Sequence, residues 1–389
     1  MSRFHSYLTT AIRLIDSHHA GKPFAHHLKT FFSSEKKYGS RDRKIISSLC
    51  YQYFRTSHLL EDISGFEEKI ISAVFLCENE NNEFLAFIRP DWNVQIQIPL
   101  EKKFELLKLT YEKIFPFKQE LSAEIDKGSF FLSFLKQPKL FIRIRPGKRV
   151  AVLKKLNEAA MAYEEVGEDA LIFSQNISLE NVLKINRDIV VQDVSSQKVF
   201  DGIQWSDLIK NNESLDVWDC CAASGGKSIL LYDRLAGKIK LAVSDVRKNI
   251  IQNLKERLAQ AGVPVYKRFV QDLSLNSGFS MSDKYDLVVC DVPCTGSGTW
   301  SRNPEQLHSF HINSLADFSK LQESIVLNIL PQVKENGYLV YITCSVFAKE
   351  NEHIVAVIQD KSNLQLIQMK YLKGYDEGAD TMFAAVFKR

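Results

Sequence analysis

The second half of the chain alternates short apolar runs with longer stretches of helical spacing, and that alternation constrains the architecture more than anything else in the sequence. The runs "SLDVWD", "IKLAVSD", "PVYKRFV", "YDLVVCD" and "GYLVYITC" are separated by segments such as "RKNIIQNLKERLAQAG" and "SKLQESIVLNIL", whose apolar residues recur three and four positions apart. Strand, helix, strand in sequence is what a parallel sheet with helices on both faces requires. A helix at "ENEHIVAVIQD" and a closing pair, "LQLIQM" and "MFAAVFKR", raise the strand count to seven, so the expected fold class is α/β, a doubly wound Rossmann-like sheet closed by a hairpin.

The rest of the 389 residues must form at least one further unit. In "FHSYLTTAIRLI" Phe4, Tyr7, Leu8, Ala11, Ile12 and Ile15 fall on one helical face, and "SRDRKIISSLCYQYFR", with Ser40 as a candidate cap, and "FEEKIISAVFLCEN" repeat the pattern. An all-helical domain over 1–137 is expected. From "QPKLFIRIRPGKRV" the pattern turns to a strand, a Pro-Gly turn and a helix through "AVLKKLNEAAMAYEEV", a small α/β connector over 138–190, leaving 191–389 for the sheet domain. Within the connector Arg143, Arg145, Lys148 and Arg149 put four cations in seven residues, a cluster that suits either a phosphate backbone or a solvated turn. A formal net charge of +3 is too weak to argue nucleic-acid binding from the total, so any such surface is local.

Seven cysteines lie at 50, 77, 220, 221, 290, 294 and 344, without the spacing of a disulfide framework or a zinc site, and no metal spacing appears among the six histidines of the first third. No metal is expected. No apolar run approaches the roughly 20 residues that span a bilayer, and the N-terminus lacks the apolar region of a secretory signal, so a cytoplasmic monomer with no membrane partner is the expectation.

The loop "DCCAASGGKS", Asp219 to Ser228, resembles the end of a phosphate-gripping loop, yet Cys221 stands where such a loop needs its first glycine. A dinucleotide fingerprint also fails, because only the adjacent Gly225 and Gly226 are present. What remains is a strand, a loop of small residues and a helix, with Asp219, Asp245 and Asp272 closing three successive strands. Acids at three strand ends converge on one crevice, where Asp245 is placed for ribose hydroxyls, and they suit S-adenosyl-L-methionine, a sulfonium without phosphate.

The fourth strand runs into "DVPCTGSG" and the fifth ends in "YITCS", so Cys294 and Cys344 reach the same crevice if the strands are neighbours. Cytosine explains a need for two thiols. Its carbon 5 becomes nucleophilic only after a thiolate adds to carbon 6, and the adduct then needs a base to remove the carbon 5 proton before the thiolate leaves. A second cysteine can be that base or assist release, and Asp291 can donate or hold a proton at the ring's N3 edge. Cys220 and Cys290 read as packing residues.

On "VQDVSSQ", "DCCAASGGK", "DVPCTGSG", the "RNP" at 302–304, "YITCSVFAKENE" and "ADTMFAAVF", the C-terminal half resembles the RsmB/NOP family, also called Fmu or Sun, of S-adenosylmethionine-dependent RNA cytosine-C5 methyltransferases. The first helices resemble the NusB-like RNA-binding domain of its bacterial members. This resemblance implies a seven-stranded class I methyltransferase domain. It also implies that the backbone of Cys221, Ala222, Ala223, Ser224, Gly225, Gly226 and Lys227 cradles the methionine end of the cofactor, with Asp245 on the ribose, Asp272 on the adenine edge, and Asp291 between cofactor and base. It makes Cys344 the nucleophile and Cys294 the residue that promotes product release. Three positions depart from the family pattern: Ser224 replaces a proline, which loosens the loop; Ile250 replaces an arginine after the ribose acid; and Met382 replaces a glycine near the C-terminus.

The expected function is therefore methylation of cytosine carbon 5 in RNA, 16S ribosomal RNA first, during rRNA processing, with the base turned out of its stack. A transfer-RNA substrate, a DNA cytosine methyltransferase using Cys294 as nucleophile, and a non-catalytic RNA-binding assembly factor are the alternatives; a nucleotide hydrolase would need the missing glycine.

Overall fold

The computed structural model describes residues 2–19, 21–174, 177–209, 214–275 and 283–389. They divide into two compact units: residues 1–119, 126–137 and 299–312 form one, and 120–125, 138–298 and 313–389 the other. Sequence drew three domains, over 1–137, 138–190 and 191–389; here 138–190 falls in one unit with the sheet, and two further pieces change sides. Residues 120–125 go with the sheet, and 299–312, read from sequence as part of a long loop after the fourth strand, go with the helices.

Helices dominate the first unit, including Arg3–Asp16, Ser40–Thr56 and Phe66–Cys77. Phe4, Tyr7, Leu8, Ala11 and Ile15 are buried as the spacing requires, but Leu14 takes the central place expected of Ile12, which lies at the margin. Ser40 is not the cap. Gly39 occupies that position, and its N–H donates to the Asp42 carboxylate at 2.8 Å. The 299–312 segment is held as core, with Trp300 packed on Phe115 and Phe310 and Leu307 fully buried. Buried Arg55 donates to the Ser301 carbonyl at 2.5 Å and the Phe134 carbonyl at 3.1 Å.

In the second unit, β1 (Leu140–Ile144), β2 (Glu164–Val166), β3 (Ala170–Phe173) and β4 (Ile189–Val191) make an antiparallel sheet in the order β2-β3-β1-β4. The connector helix is shorter than expected. It runs over Arg149–Glu158 and ends where Ala160 takes a left-handed φ of 51° and the Met161 N–H reaches back to the Leu156 carbonyl. The "EAA" sequence carries no glycine to signal this stop, so "YEEV" reads as helix but pairs as β2.

Seven strands form the main sheet: β5 (Leu215–Asp219), β6 (Ile239–Asp245), β7 (Lys267–Val270), β8 (Tyr285–Asp291), β9 (Val333–Thr343), β10 (Gln365–Lys373) and β11 (Thr381–Lys388). Their order is β10-β11-β9-β8-β5-β6-β7, parallel from β7 to β9 and antiparallel at β11 and β10. This is the expected Rossmann-like methyltransferase sheet, and its order reverses beside β5, where the carboxyl ends of the strands open a crevice. Val217, Leu241, Val243, Leu287, Val289 and Val340 form its centre, with Met382 packed among them. Among the described residues no helix is long and apolar enough to cross a membrane.

Two of the four connector cations, Arg143 and Arg145, are not at the surface, so the cluster does not form one basic patch. Arg143 and Arg145 are buried, and both close on Asp233, at 2.7 and 2.6 Å. Removing the carboxylate leaves two buried cations without a countercharge, which is far more costly than losing an exposed pair. Asp233→Ala is expected to lower the unfolding free energy by about 3–5 kcal/mol in urea titration; a loss below about 1 kcal/mol would show that the arginines reach water.

Candidate active site

The loop after β5 is shaped by its small residues. The Ala222 N–H donates to the Ser244 carbonyl at 2.9 Å and the Gly225 N–H to the Ala222 carbonyl at 2.8 Å, a tight turn that sets Ala223 at φ 43° and Gly225 at φ 81°. A Cβ on Gly225 would lie 2.4 Å from the Leu254 side chain, so both the conformation and the space demand glycine. Helix Gly226–Arg234 starts there. Ser224 does not leave the loop loose, as its sequence suggests, because Arg257 donates to its hydroxyl at 2.7 Å and to its carbonyl at 3.2 Å.

Beneath the loop Asp219 is buried. One of its oxygens accepts from the Ser228 hydroxyl at 2.6 Å and the other has no hydrogen-bond partner among the described residues. Burial pushes this carboxyl up to about 7, against the pull of Ser228.

A crevice of about 560 Å³ opens at the carboxyl ends of β5, β6, β8 and β9. Of the residues singled out by sequence, Cys221, Ala223, Asp245, Asp272 and Asp291 line it, as do Cys294 and Cys344. Ala222, Ser224, Gly225, Gly226 and Lys227, also singled out by sequence, are not among its walls. Asp245 is engaged: it accepts from the Ala223 N–H at 3.1 Å and from the Arg247 backbone and guanidinium, each at 2.9 Å. Burial opposes its charge, yet Arg247 outweighs burial and holds the carboxyl below the usual range. The cation beside this acid is Arg247, three positions before Ile250. Asp272 accepts from the Ser274 N–H at 2.9 Å and hydroxyl at 2.6 Å, which fixes the turn after β7.

Sequence reasoning missed other walls. Val246 and Arg247 follow directly on the acid of β6, which is signal enough in retrospect. Leu321 and Ile325 project from helix Ser314–Ile329 one turn apart; their spacing marks an apolar face but not that the face meets a cavity.

Parallel pairing of β8 and β9 puts Asp291 opposite Ile342, so the chain segments leaving the two strands run side by side. The sulfurs of Cys294 and Cys344 lie 3.3 Å apart, and the Cys344 N–H donates to the Cys294 sulfur at 3.4 Å. Gly298 closes the arrangement. Its N–H donates to the Cys344 carbonyl at 2.8 Å, and a Cβ there would sit 2.1 Å from the Thr381 carbonyl oxygen. The contact with Cys344, helped by burial, pushes the Cys294 thiol well above the ordinary value. Asp291 accepts from the Lys227 ammonium at 2.6 Å. Burial disfavours that ammonium, but Asp291 and the nearby Cys344 more than offset it, and Lys227 stays protonated above the usual lysine range. Cys290 is buried within β8, and Cys220, the residue after β5, is buried too but contributes to the crevice wall rather than to packing alone; both thiols are raised chiefly by burial.

Residues 207–385 match the model of a family described as 16S rRNA methyltransferase RsmB/F. The probable ribosomal RNA small subunit methyltransferase B of Bacillus subtilis strain 168 is 26% identical over 233 residues, 59% of this chain and 51% of that protein. The chain therefore spans about half the length of this curated relative. Among solved structures, PH0851 is similar over 100% of this chain and 99% of its own, with a TM-score of 0.73 at 18% identity. NSun6 from Pyrococcus horikoshii, solved with SFG, covers 72% of this chain and 96% of its own, with a TM-score of 0.56 at 15% identity. At these identities the two structures speak for the fold.

Asp219 yields a pH dependence. Its folded pKa lies above the ordinary 3.8, so between about pH 4 and 7 the folded state holds a proton that the unfolded state has lost, and stability falls as pH rises through that window. Above about 7 the penalty is constant. Asp219→Asn removes it: the variant's advantage in unfolding free energy over wild type, followed by denaturant titration without ligand, is expected to grow from pH 4 to 7 by up to about 4 kcal/mol and then level off. An advantage independent of pH would mean that Asp219 ionises normally.

Proposed function

Starting from a chain whose residues 207–385 match the RsmB/F methyltransferase family model, we propose that it methylates carbon 5 of cytosine in RNA, with 16S ribosomal RNA as the substrate and the cytoplasm as its place of work. The observation that carries the reading is the thiol pair, two sulfurs 3.3 Å apart at the wall of a crevice ringed by Asp245, Asp272 and Asp291. A packing role explains one cysteine at a strand end. It does not explain two that share a cavity wall with acids.

The crevice fits S-adenosyl-L-methionine. Its volume is that of a small-molecule site, the backbone at Ala223 and Gly225 is turned where side chains would crowd it, and carboxylates face it without a cluster of phosphate-binding cations. When bound, the cofactor supplies a methyl group made electrophilic by a sulfonium. Residues 221–227 would hold its methionine end, Asp245 its ribose and Asp272 its adenine edge.

This chain's own residues do the remaining work. Cys344 adds as thiolate to carbon 6 of the flipped base. Asp291, held by Lys227, faces the N3 edge, where charge develops as the ring becomes an enamine. Cys294, whose thiol is pushed up, acts as thiolate to take the carbon 5 proton; the electron pair of that C–H bond restores the carbon 5–carbon 6 double bond and expels Cys344 as thiolate, and in this way Cys294 promotes release.

Substituting each cysteine separates the roles. With ribosomal RNA and cofactor, Cys344→Ala is expected to lower methyl incorporation at least about a thousandfold and to form no covalent RNA adduct, whereas Cys294→Ala accumulates a denaturant-stable protein–RNA adduct on a gel. The reverse pattern transfers the nucleophile to Cys294. Incorporation unaffected in both variants removes the reading.

A further inference from the structure

Behind the thiol pair lies a buried carboxylate that the chemistry above does not use. Glu350 is fully buried, in a 3-10 turn between β9 and helix Glu352–Lys361. One of its oxygens accepts from the Thr295 N–H at 2.8 Å and the Gln322 side-chain amide at 2.9 Å. The other accepts from the Thr295 hydroxyl at 2.6 Å and from the Ser345 hydroxyl. Thr295 follows Cys294 in the chain and Ser345 follows Cys344. A single carboxylate therefore grips the immediate neighbour of each sulfur-bearing residue. Gln322 reinforces the grip by donating also to the Pro293 carbonyl at 3.0 Å, on the other side of Cys294.

No cation is among these partners; the charge is balanced by four hydrogen-bond donors, an arrangement in which every donor is held to a fixed direction. From its far side the turn is anchored by the Tyr341 hydroxyl, which donates to the Glu350 carbonyl at 2.6 Å, and by Asn351, which donates to the Ser345 carbonyl at 2.8 Å. Glu350 is not among the walls of the crevice.

We infer that Glu350 is a positioning residue, a clamp that holds the Cys294 and Cys344 loops in one register and sets the distance between their sulfurs. This rests on the reading of those cysteines as the reacting pair. Reaction at carbon 6 by one thiol and assistance by the other tolerate little misplacement, since about 1 Å costs about a hundredfold in rate.

The full-length protein tests it with a readout that needs no RNA. Diamide takes two hydrogen atoms from two thiols as a disulfide forms, so the rate at which Cys294 and Cys344 become linked, followed by alkylation and peptide mass spectrometry, reports their proximity. Glu350→Ala is expected to slow that linkage about tenfold and to lower kcat for methylation about a hundredfold, with KM for S-adenosylmethionine within about twofold of wild type. Glu350→Gln keeps an acceptor for the Thr295 N–H and Gln322, and the two hydroxyls can turn to accept from its amide; it should restore at least about tenfold of the lost kcat. Thr295→Val, which spares the backbone bond, should slow linkage about threefold, and carries the test should Glu350→Ala not fold. Linkage at the wild-type rate in Glu350→Ala or Thr295→Val overturns the clamp, as does a Glu350→Ala loss that falls on cofactor KM instead of kcat. Wild-type protein that methylates no RNA yet links its thiols at a Glu350-dependent rate upholds the clamp and defeats the proposed function.

Discussion

Parallel hydrogen bonding between β8 and β9 is the constraint on which the rest depends. Two strands running the same way deliver their carboxyl ends to one edge, and whatever follows each strand begins life beside the other. Cys294 comes three residues after β8 and Cys344 directly after β9, and no long-range search is needed to bring them together. β6, beyond β5 on the other flank of β8, adds its strand-end acid Asp245 to the same opening, whereas Asp219 at the end of β5 is buried beneath the loop and does not line it, contrary to the sequence expectation. The crevice is a by-product of sheet topology, and residue choice at the strand ends decides its chemistry.

Three buried carboxylates in the sheet unit show how differently the same group is accommodated. Asp233 is closed on by two arginines and ties the antiparallel connector sheet to the helix that starts at Gly226. Glu350 is satisfied by neutral donors alone, which gives direction without a mobile counter-ion. Asp219 has one donor and, among the described residues, an unmet oxygen, and burial pushes it up. Full satisfaction marks the first two as scaffold, while the deficit at Asp219 sits directly under the loop that faces the crevice.

Much of this was legible in the sequence. Strand and helix alternation announces the seven-stranded sheet because periodicity is a local property that the fold must respect. The acids and cysteines are legible because they stand at strand ends, where side chains reach the opening in any fold of this kind. What was not legible depends on partners far along the chain. Arg143 and Arg145 read as a basic patch, since nothing near them announces that Asp233, about ninety residues on, will neutralise both. The end of the connector helix at Ala160 was hidden for the opposite reason: its local propensities favour continuing, and tertiary context overrides them. Gly39 takes the cap in place of Ser40, and the Asp42 carboxylate at the third helical position accepts from its N–H, the half of a capping box that needs no N-cap side chain.

The assignment of residues 299–312 to the helical unit has a consequence for how the chain can be divided. Trp300 is almost wholly sheltered among rings from 115 and 310, and Arg55 reaches across from the N-terminal helices to a carbonyl next to it. Cutting at residue 137 would strip this stretch of its shelter and leave a large indole and a leucine facing solvent a few residues from Cys294. The helices are thus not a detachable module: a shortened polypeptide meant to carry the sheet alone would inherit a sticky, unsupported segment at the place where order matters most.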